Sequence, residues 1–453
     1  MANQLFHYQL ADLHELSQKV VQMASEAGAT QASSEVSESA GLSVTVRMGD
    51  IDTLEQTRDR GMSVTVYMGQ RKGHASSSDL SDAALRDSVG KALDIARFTA
   101  EDECAGLPDP DKLAKGPHRD LKLFHPWAIT APKAVKLALE AESAARAVSP
   151  VIKNSDGASV SASHGQFSMA NSHGFVGGYA YSRHGISVSP IAQKGAVMQR
   201  DDWYSSSRRS SDLAAPRLIG QYAARRALAR LGAKQISTQS VPVIFEAPLA
   251  VGLIGSLVHA LSGSALYRKA SFLVDSLGRQ VLPKGFSLLE DPFQLAGNGS
   301  SPFDDEGVQV QARKVVDAGK VQAYFLSSYT ARKLGMSPTG NAGGSHNLLL
   351  KTETPSLLVK GGLSALVRKM HRGLLVTEVM GQGVNPLTGD YSRGAFGYWV
   401  ENGELQYPVE EITIAGNLLE MFSGIEAMGD DLYCRGAKTS GSLLINRMMI
   451  AGC

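Results

Sequence analysis

Val241-Pro242-Val243-Ile244-Phe245-Glu246-Ala247-Pro248 opens a stretch, residues 241–269, whose reading decides the fold. The β-branched apolar run 241–245 predicts a buried strand. Glu246-Ala247-Pro248 predicts a turn, with proline at a first helical position. Ala250, Ile254, Leu257, Val258 and Leu261 then recur at the spacing of a core-facing helical stripe. A second row, Gly252, Ser256, His259 and Gly263, sets one imidazole among very small residues on the same expected helix. That helix is expected to end at Tyr267-Arg268-Lys269, where cations suit the C-terminal end of the dipole. Glycine costs about 1 kcal/mol per helical position relative to alanine. The row therefore marks a close approach to the backbone, by another element of the chain or by a ligand. Correspondingly, His259 reads either as a satisfied helix histidine or as a residue lining a cleft.

Outward from this stretch, a chain of 453 residues exceeds a single compact core, so two or more domains are expected. The balance of 45 Lys and Arg against 44 Asp and Glu, a net +1, argues against a general affinity for nucleic acid or acidic membranes. Arg225, Arg226 and Arg230 cluster on one expected helix, and Arg200, Arg208 and Arg209 stand near Asp201 and Asp202. Such mixed charge reads as a solvated face. The N-terminus lacks a basic segment followed by a long apolar run, which predicts no signal peptide, and the longest apolar stretch is too short to span a bilayer. Three cysteines, Cys104, Cys434 and Cys453, with no Cys-x-x-Cys pair, suit a reducing cytoplasm without a disulfide framework.

Along the chain, residues 9–28, 82–98, 131–148 and 212–231 carry helical periodicity. Ser43-Val44-Thr45-Val46-Arg47-Met48-Gly49 and Ser63-Val64-Thr65-Val66-Tyr67-Met68-Gly69 repeat 20 positions apart as alternating strands, expected to pair with each other. Alternation around Gly157 and from Ser182 to Ser189 predicts further antiparallel strands, with a bend or bulge at Gly177-Gly178. The residues read as a two-domain α+β protein, 1–235 an N-terminal α+β domain and 236–453 a β-rich domain carrying the central helix. In the second half, residues 308–311 and 321–326 are expected to form a hairpin around Asp317-Ala318-Gly319-Lys320. Residues 364–371 read as a short helix, and 374–379 and 443–451 as strands. The loop 336–346 offers Asn341 and His346 as hydrogen-bonding groups for a peptide backbone, and Arg332 and Arg393 as partners for a peptide carboxylate.

No independent enzyme motif is present. His14-Glu15 lacks a second histidine at zincin spacing, and Gly381-Gln382-Gly383 lacks the third glycine of a dinucleotide fingerprint. There is no P-loop and no Gly-x-Ser-x-Gly elbow.

The strand and helix 241–269, Ser328-Tyr329-Thr330-Ala331-Arg332-Lys333-Leu334-Gly335 with Pro338-Thr339-Gly340-Asn341-Ala342-Gly343-Gly344, and Met380-Gly381-Gln382-Gly383 through Gly389-Asp390-Tyr391-Ser392-Arg393-Gly394-Ala395 together resemble the TldD/PmbA metallopeptidase family. Tyr398-Trp399-Val400-Glu401-Asn402-Gly403-Glu404 and Ile412-Thr413-Ile414-Ala415-Gly416-Asn417-Leu418 extend the resemblance, which is similar most of all to the PmbA (TldE) branch. In the TldD branch this helix carries His-Glu-x-x-x-His, two metal-binding histidines and a glutamate able to act as general base. Here the first histidine position holds Ile254, the glutamate position Gly255, and only the second histidine is kept, as His259. The family's third ligand, a cysteine, falls near Ser440-Gly441, with Cys434 close by.

The resemblance thus implies a metal-free, non-catalytic subunit of a TldD/TldE-type metalloprotease complex, with no catalytic residue, no metal ligand set and no cofactor in this chain. Zinc is expected in the TldD-type partner, and proteolysis and peptide maturation in the cytoplasm as the setting. Expected partners are the TldD-type subunit and unfolded or modified peptides, with a homodimer when the chain is alone. Gly252, Ser256, His259, Arg332, Asn341 and His346 are the candidate peptide-cleft residues. The competing reading is a homodimeric peptidase active on its own through ligands the sequence does not reveal.

Overall fold

The computed structural model describes residues 5–452, which divide into two compact units, each a mixture of helices and β-sheet. The first runs through Leu231 and also takes in Pro302–Gln309; the second comprises Gly232–Ser301 and continues from Val310.

The first unit contains α1 (Leu10–Glu26), β1 (Gln31–Arg47), β2 (Asp50–Met68), β3 (Arg71–Ser77), α2 (Asp82–Phe98), α3 (Ala131–Arg146), β4 (Ile152–Asn171), β5 (Val176–Lys194), β6 (Val197–Arg200), β7 (Trp203–Ser207) and α4 (Pro216–Ala229). Its antiparallel sheet runs β3-β2-β1-β4-β5-β6, with β7 also paired to β5. Along β1 the even-numbered Val36, Ala40, Val44 and Val46 are buried, as the period of two requires when helices cover one face. Leu13, Val20, Leu85 and Val89 of α1 and α2 pack against Val36 and Val64, while alanines of α3 and α4 pack against Val44, Val160 and Ile186.

The repeated strands do not face each other. Val44 pairs with Leu54 and Val64 with Ser34, so the two copies occupy opposite ends of one long ribbon. Each copy ends at a hairpin turn, which is why the Met-Gly ending recurs: Gly49 and Gly69 both take positive φ. No bulge interrupts β4 and β5 at Gly177-Gly178, since Met169 pairs with Gly177 and Ser168 with Gly178 in regular register. These glycines serve close approach instead. A Cβ on Gly177 would meet the rings of Phe175 and Phe303, and one on Gly178 would strike the Phe167 carbonyl. Phe303 belongs to the segment Pro302–Gln309 and packs with Phe175, Phe167 and Tyr179.

The second unit contains β8 (Gln239–Phe245), α5 (Ala247–Ala260), α6 (Gly263–Tyr267), β9 (Phe286–Asp291), β10 (Arg313–Asp317), β11 (Lys320–Val321), α7 (Ser328–Lys333), β12 (Asn347–Thr352), β13 (Leu358–Val359), α8 (Gly362–Met370), β14 (Gly373–Met380), β15 (Asp390–Glu401), β16 (Glu404–Asn417), α9 (Leu418–Ser423), β17 (Ile425–Gly429), β18 (Tyr433–Arg435), β19 (Lys438–Ser440) and β20 (Leu443–Ala451). One sheet runs β11-β10-β9-β12-β19-β18. The other runs β13-β17-β20-β16-β15-β14-β8, and β20 pairs with β8 as well, so β8, β14, β15, β16 and β20 close a ring. The hairpin around Ala318-Gly319 is formed by Arg313–Asp317 and Lys320–Val321. Val308, expected in that hairpin, pairs instead with Leu113 of the first unit.

The decisive helix differs from its sequence reading at its end. Ala250, Leu253, Ile254, Leu257 and Ala260 are buried in the core of the second unit, but α5 stops at Ala260 and α6 begins at Gly263. The break has a local cause. Ser262 is extended, its hydroxyl donates to the His259 carbonyl at 2.7 Å, and Phe325 hydrogen-bonds across the gap, donating to Leu261 and accepting from Gly263. Gly263 therefore lies on a different helix from Gly252, Ser256 and His259.

Candidate functional site

The start of α5 is fixed from outside the helix. Pro248 occupies the first turn, Ala250 donates to the Glu246 carbonyl, and Ala247 N–H donates to Ser442 Oγ at 3.0 Å. Ser442 Oγ in turn donates to Asp431 Oδ2 at 2.7 Å. Such partners satisfy donors that a helix start otherwise leaves orphaned. With its apolar stripe anchored in the core, the opposite side of α5 faces out.

Two cavities flank that side, and both are floored by Gly252, Gly255 and Ser256. One, about 450 Å³, is walled by Phe245, Leu249, Val379 and Tyr391 and edged by Arg393, Arg435 and Lys438. The other, about 300 Å³, is apolar, lined by Phe272, Val384, Pro386 and Leu418 with His259 at its side. A Cβ built on Gly252 or Gly255 meets no atom within 4 Å, whereas one on Gly263 would collide with the Thr330 side chain. The small residues thus have two separate causes: Gly263 permits helix packing, and Gly252 and Gly255 leave an open floor. Burial pushes the Tyr391 hydroxyl above its ordinary range, against the opposing pull of Arg393 beside it.

Of the six residues expected in a peptide cleft, Gly252, Ser256 and His259 come together on this floor. Arg332 is half-buried on α7, and neither Asn341 nor His346 lines either cavity. Both of the latter are buried in a network centred on Glu290. Asn341 Nδ2 donates to Glu290 Oε1 at 2.8 Å, His346 N–H donates to the same oxygen at 2.9 Å, and Arg313 Nε donates to Glu290 Oε2 at 2.7 Å. Arg313 also donates to Asn341 Oδ1 at 2.8 Å, and the His346 ring contacts the carbonyls of Gly340 and Gly299. A buried carboxylate requires such satisfaction, and the loop's glycines let the chain wrap around it. The sequence reading did not include Arg435 or Lys438. Their signal was the tight Arg435-Gly436-Ala437-Lys438 turn, which sets two cations opposite each other.

The metal-motif positions do not form a ligand set. Ile254 is 3% exposed and packed in the core, Gly255 offers no side chain, and His259 is exposed on the cavity side. Ser440 is buried, with its hydroxyl donating to the Gly441 carbonyl at 2.9 Å, and Cys434 is exposed on the β18–β19 hairpin that packs against α5. Among the described residues, no group of three or more His, Cys, Asp or Glu side chains is placed to hold a metal ion. Isoleucine and glycine have no side-chain donor atom and no side-chain base, so these two positions do not fit zinc ligation or proton transfer.

In the first unit, burial perturbs three histidines. His164 Nε2 accepts from the Trp127 N–H at 3.0 Å, and burial, reinforced by His184, lowers its pKa to about 4. Burial also lowers His184, whose Nε2 lies 2.9 Å from the His125 carbonyl, and His14.

Family models of the PmbA/TldA metallopeptidase match this chain at residues 35–96 (domain 1), 124–231 (central domain) and 238–452 (C-terminal domain). Metalloprotease PmbA homolog of Haemophilus influenzae is 47% identical over 432 residues, covering 95% of this chain and 94% of the relative. Metalloprotease PmbA of Escherichia coli O157:H7 is 45% identical, covering 92% and 91%. A crystal structure from Bacteroides thetaiotaomicron, of a candidate modulator of DNA gyrase, superposes with TM-score 0.90 at 28% identity, covering 97% and 98% of the two chains. TldE of Thermococcus kodakarensis shares the fold, with TM-score 0.82 at 19% identity and coverage of 96% and 100%. The chain belongs to the PmbA/TldD metallopeptidase family, in its PmbA/TldE branch.

Proposed function

We propose that this chain is the non-catalytic companion of a TldD-type metallopeptidase, holding peptide beside a zinc site carried by that partner. The reading rests on one observation: at the helix that corresponds to the family's metal-binding helix, the ligand positions hold Ile254, buried in the core, and Gly255, while Gly252, Gly255 and Ser256 form an open floor. A floor without side chains lets an extended main chain lie close to the helix, and recognition of that kind asks little of substrate sequence. Unfolded or modified peptides in the cytoplasm are the corresponding substrates, and the chain forms a homodimer when its partner is absent.

Co-expression with a TldD-type protein tests the proposal directly. The two chains are expected to co-purify at equal stoichiometry, with zinc following the partner, and this chain alone should leave a denatured protein substrate intact. Stoichiometric zinc in the purified single chain, together with chelator-sensitive cleavage by it, would overturn the assignment in favour of an independent peptidase.

A further inference from the structure

The larger cavity beside α5 is edged by three cations, Arg393, Arg435 and Lys438. Arg435 and Lys438 are directly opposed across the β18–β19 hairpin, and Gly436 in the intervening turn takes φ +60°. Like charges placed opposite each other on neighbouring strands repel and destabilise the pairing. From the other wall, β15 adds Arg393, whose Nε is buried and has no hydrogen-bond partner. No Asp or Glu is among the residues lining this cavity. Three cations thus converge on a space walled by Phe245, Leu249 and Val379, with the Arg393 Nε buried in its wall.

We propose that this cavity binds a carboxylate of the peptide, with Arg393, Arg435 and Lys438 as its receptors. The inference rests on the peptide-handling reading above and names the group recognised. Guanidinium groups pair with carboxylates through charge-assisted, often bidentate hydrogen bonds, and a cavity of about 450 Å³ holds a terminal residue with room to spare. The shared floor of Gly252, Gly255 and Ser256 continues into the apolar cavity at Phe272, Val384 and Leu418. A bound chain therefore has its anion at the cationic end and an apolar side chain at the other. The carboxylate is either the C-terminus or an Asp or Glu side chain, and the test separates these sources.

The experiment uses the full-length chain without partner and three N-terminally labelled, unstructured heptapeptides of one apolar sequence. The first has a free C-terminal acid, the second a C-terminal amide, and the third an amide with glutamate at the penultimate position. Binding is read by fluorescence anisotropy at low ionic strength. The free acid is expected to bind roughly tenfold or more tightly than the plain amide, and salt should erase the difference. Arg393→Gln and Arg435→Gln should each shrink the affinity difference between the acid and the amide. Recovery of affinity by the glutamate peptide assigns the site to carboxylates in general, and failure to recover assigns it to chain termini; both support the site. Equal binding of acid and amide overturns it while leaving peptide handling intact, and absence of binding by all three overturns both. Should Arg393→Gln fail to fold, Arg435→Gln, on an exposed turn, decides alone: an undiminished acid preference in that variant also overturns the proposal. Co-purification with a TldD-type chain does not depend on any of these outcomes.

Discussion

Gly252 and Gly263 show how one residue type does opposite things a short distance apart. With open space where a Cβ would stand, Gly252→Ala should raise stability by about 0.5–1 kcal/mol through helix propensity. Gly252→Leu should leave the fold intact yet weaken peptide binding by filling the floor. Gly263→Ala, forced against Thr330, should lower stability by about 1–3 kcal/mol. Chemical denaturation of the three variants, alongside peptide binding, checks the contrast; equal effects at both positions would contradict it. At the metal-motif positions, Ile254→His with Gly255→Glu should yield no zinc-dependent cleavage. It should also destabilise, because an imidazole would replace an aliphatic chain that is 3% exposed.

His164 supplies the pH dependence at the same scale. Its folded pKa of about 4 lies below the ordinary 6.5, so the unfolded chain takes up the proton first. The stabilisation is fully present above pH 6.5 and declines as the pH falls towards 4. Urea denaturation at pH 7.5 and 4.5 should show the loss, and His164→Gln should diminish it. A pH-independent midpoint in the unmodified protein would refute the attribution.

Among the elements, the Glu290 network joins β9 and β10 to the loop before β12 through its side chains. Removing the carboxylate by Glu290→Ala leaves the Arg313 guanidinium, only 10% exposed, without its counterion. A loss of about 3–5 kcal/mol is expected on denaturation, and a loss below about 1 kcal/mol would show the network to be incidental. This network also shows where the sequence was opaque. Asn341 and His346 sit in a glycine-rich loop, where polar side chains usually suggest binding, but the acid that holds them lies on β9, about 50 positions away in the chain. Long elements were legible: α2, Asp82–Phe98, matches its expected limits because its apolar residues recur at helical spacing, and β20, Leu443–Ala451, matches as a run of large apolar residues, although its burial does not alternate strictly. The break in α5 was not legible, since Leu261-Ser262 breaks no local rule and it is Phe325, from elsewhere in the chain, that bridges the gap. At the candidate site, Gly252, Ser256 and His259 could be placed by helical spacing alone. Arg435 and Lys438 could not, because their approach to α5 depends on a strand pairing made far along the chain.

For the whole molecule, the assignment of Pro302–Gln309 to the first unit has an experimental consequence. Phe303 is 2% exposed among Phe175, Phe167 and Tyr179, so residues 1–235 expressed alone would leave an aromatic hollow in that unit. Phe303→Ala in the full chain should cost about 3–5 kcal/mol. The isolated fragment should melt earlier than the same unit in the intact protein and bind a hydrophobic dye. A fragment as stable as its counterpart would show that the segment adds nothing.

The ring of five strands in the second unit is shut by the pairing of β8 with β20, and Ala247 and Ser442, which tie the start of α5 to this seam, are 195 positions apart. During synthesis β8 must therefore wait for nearly the entire unit to leave the ribosome before its second neighbour exists. Until then the nascent chain carries a bare edge, open to mispairing with other chains, and the floor formed by Gly252, Gly255 and Ser256 is among the last features to be secured.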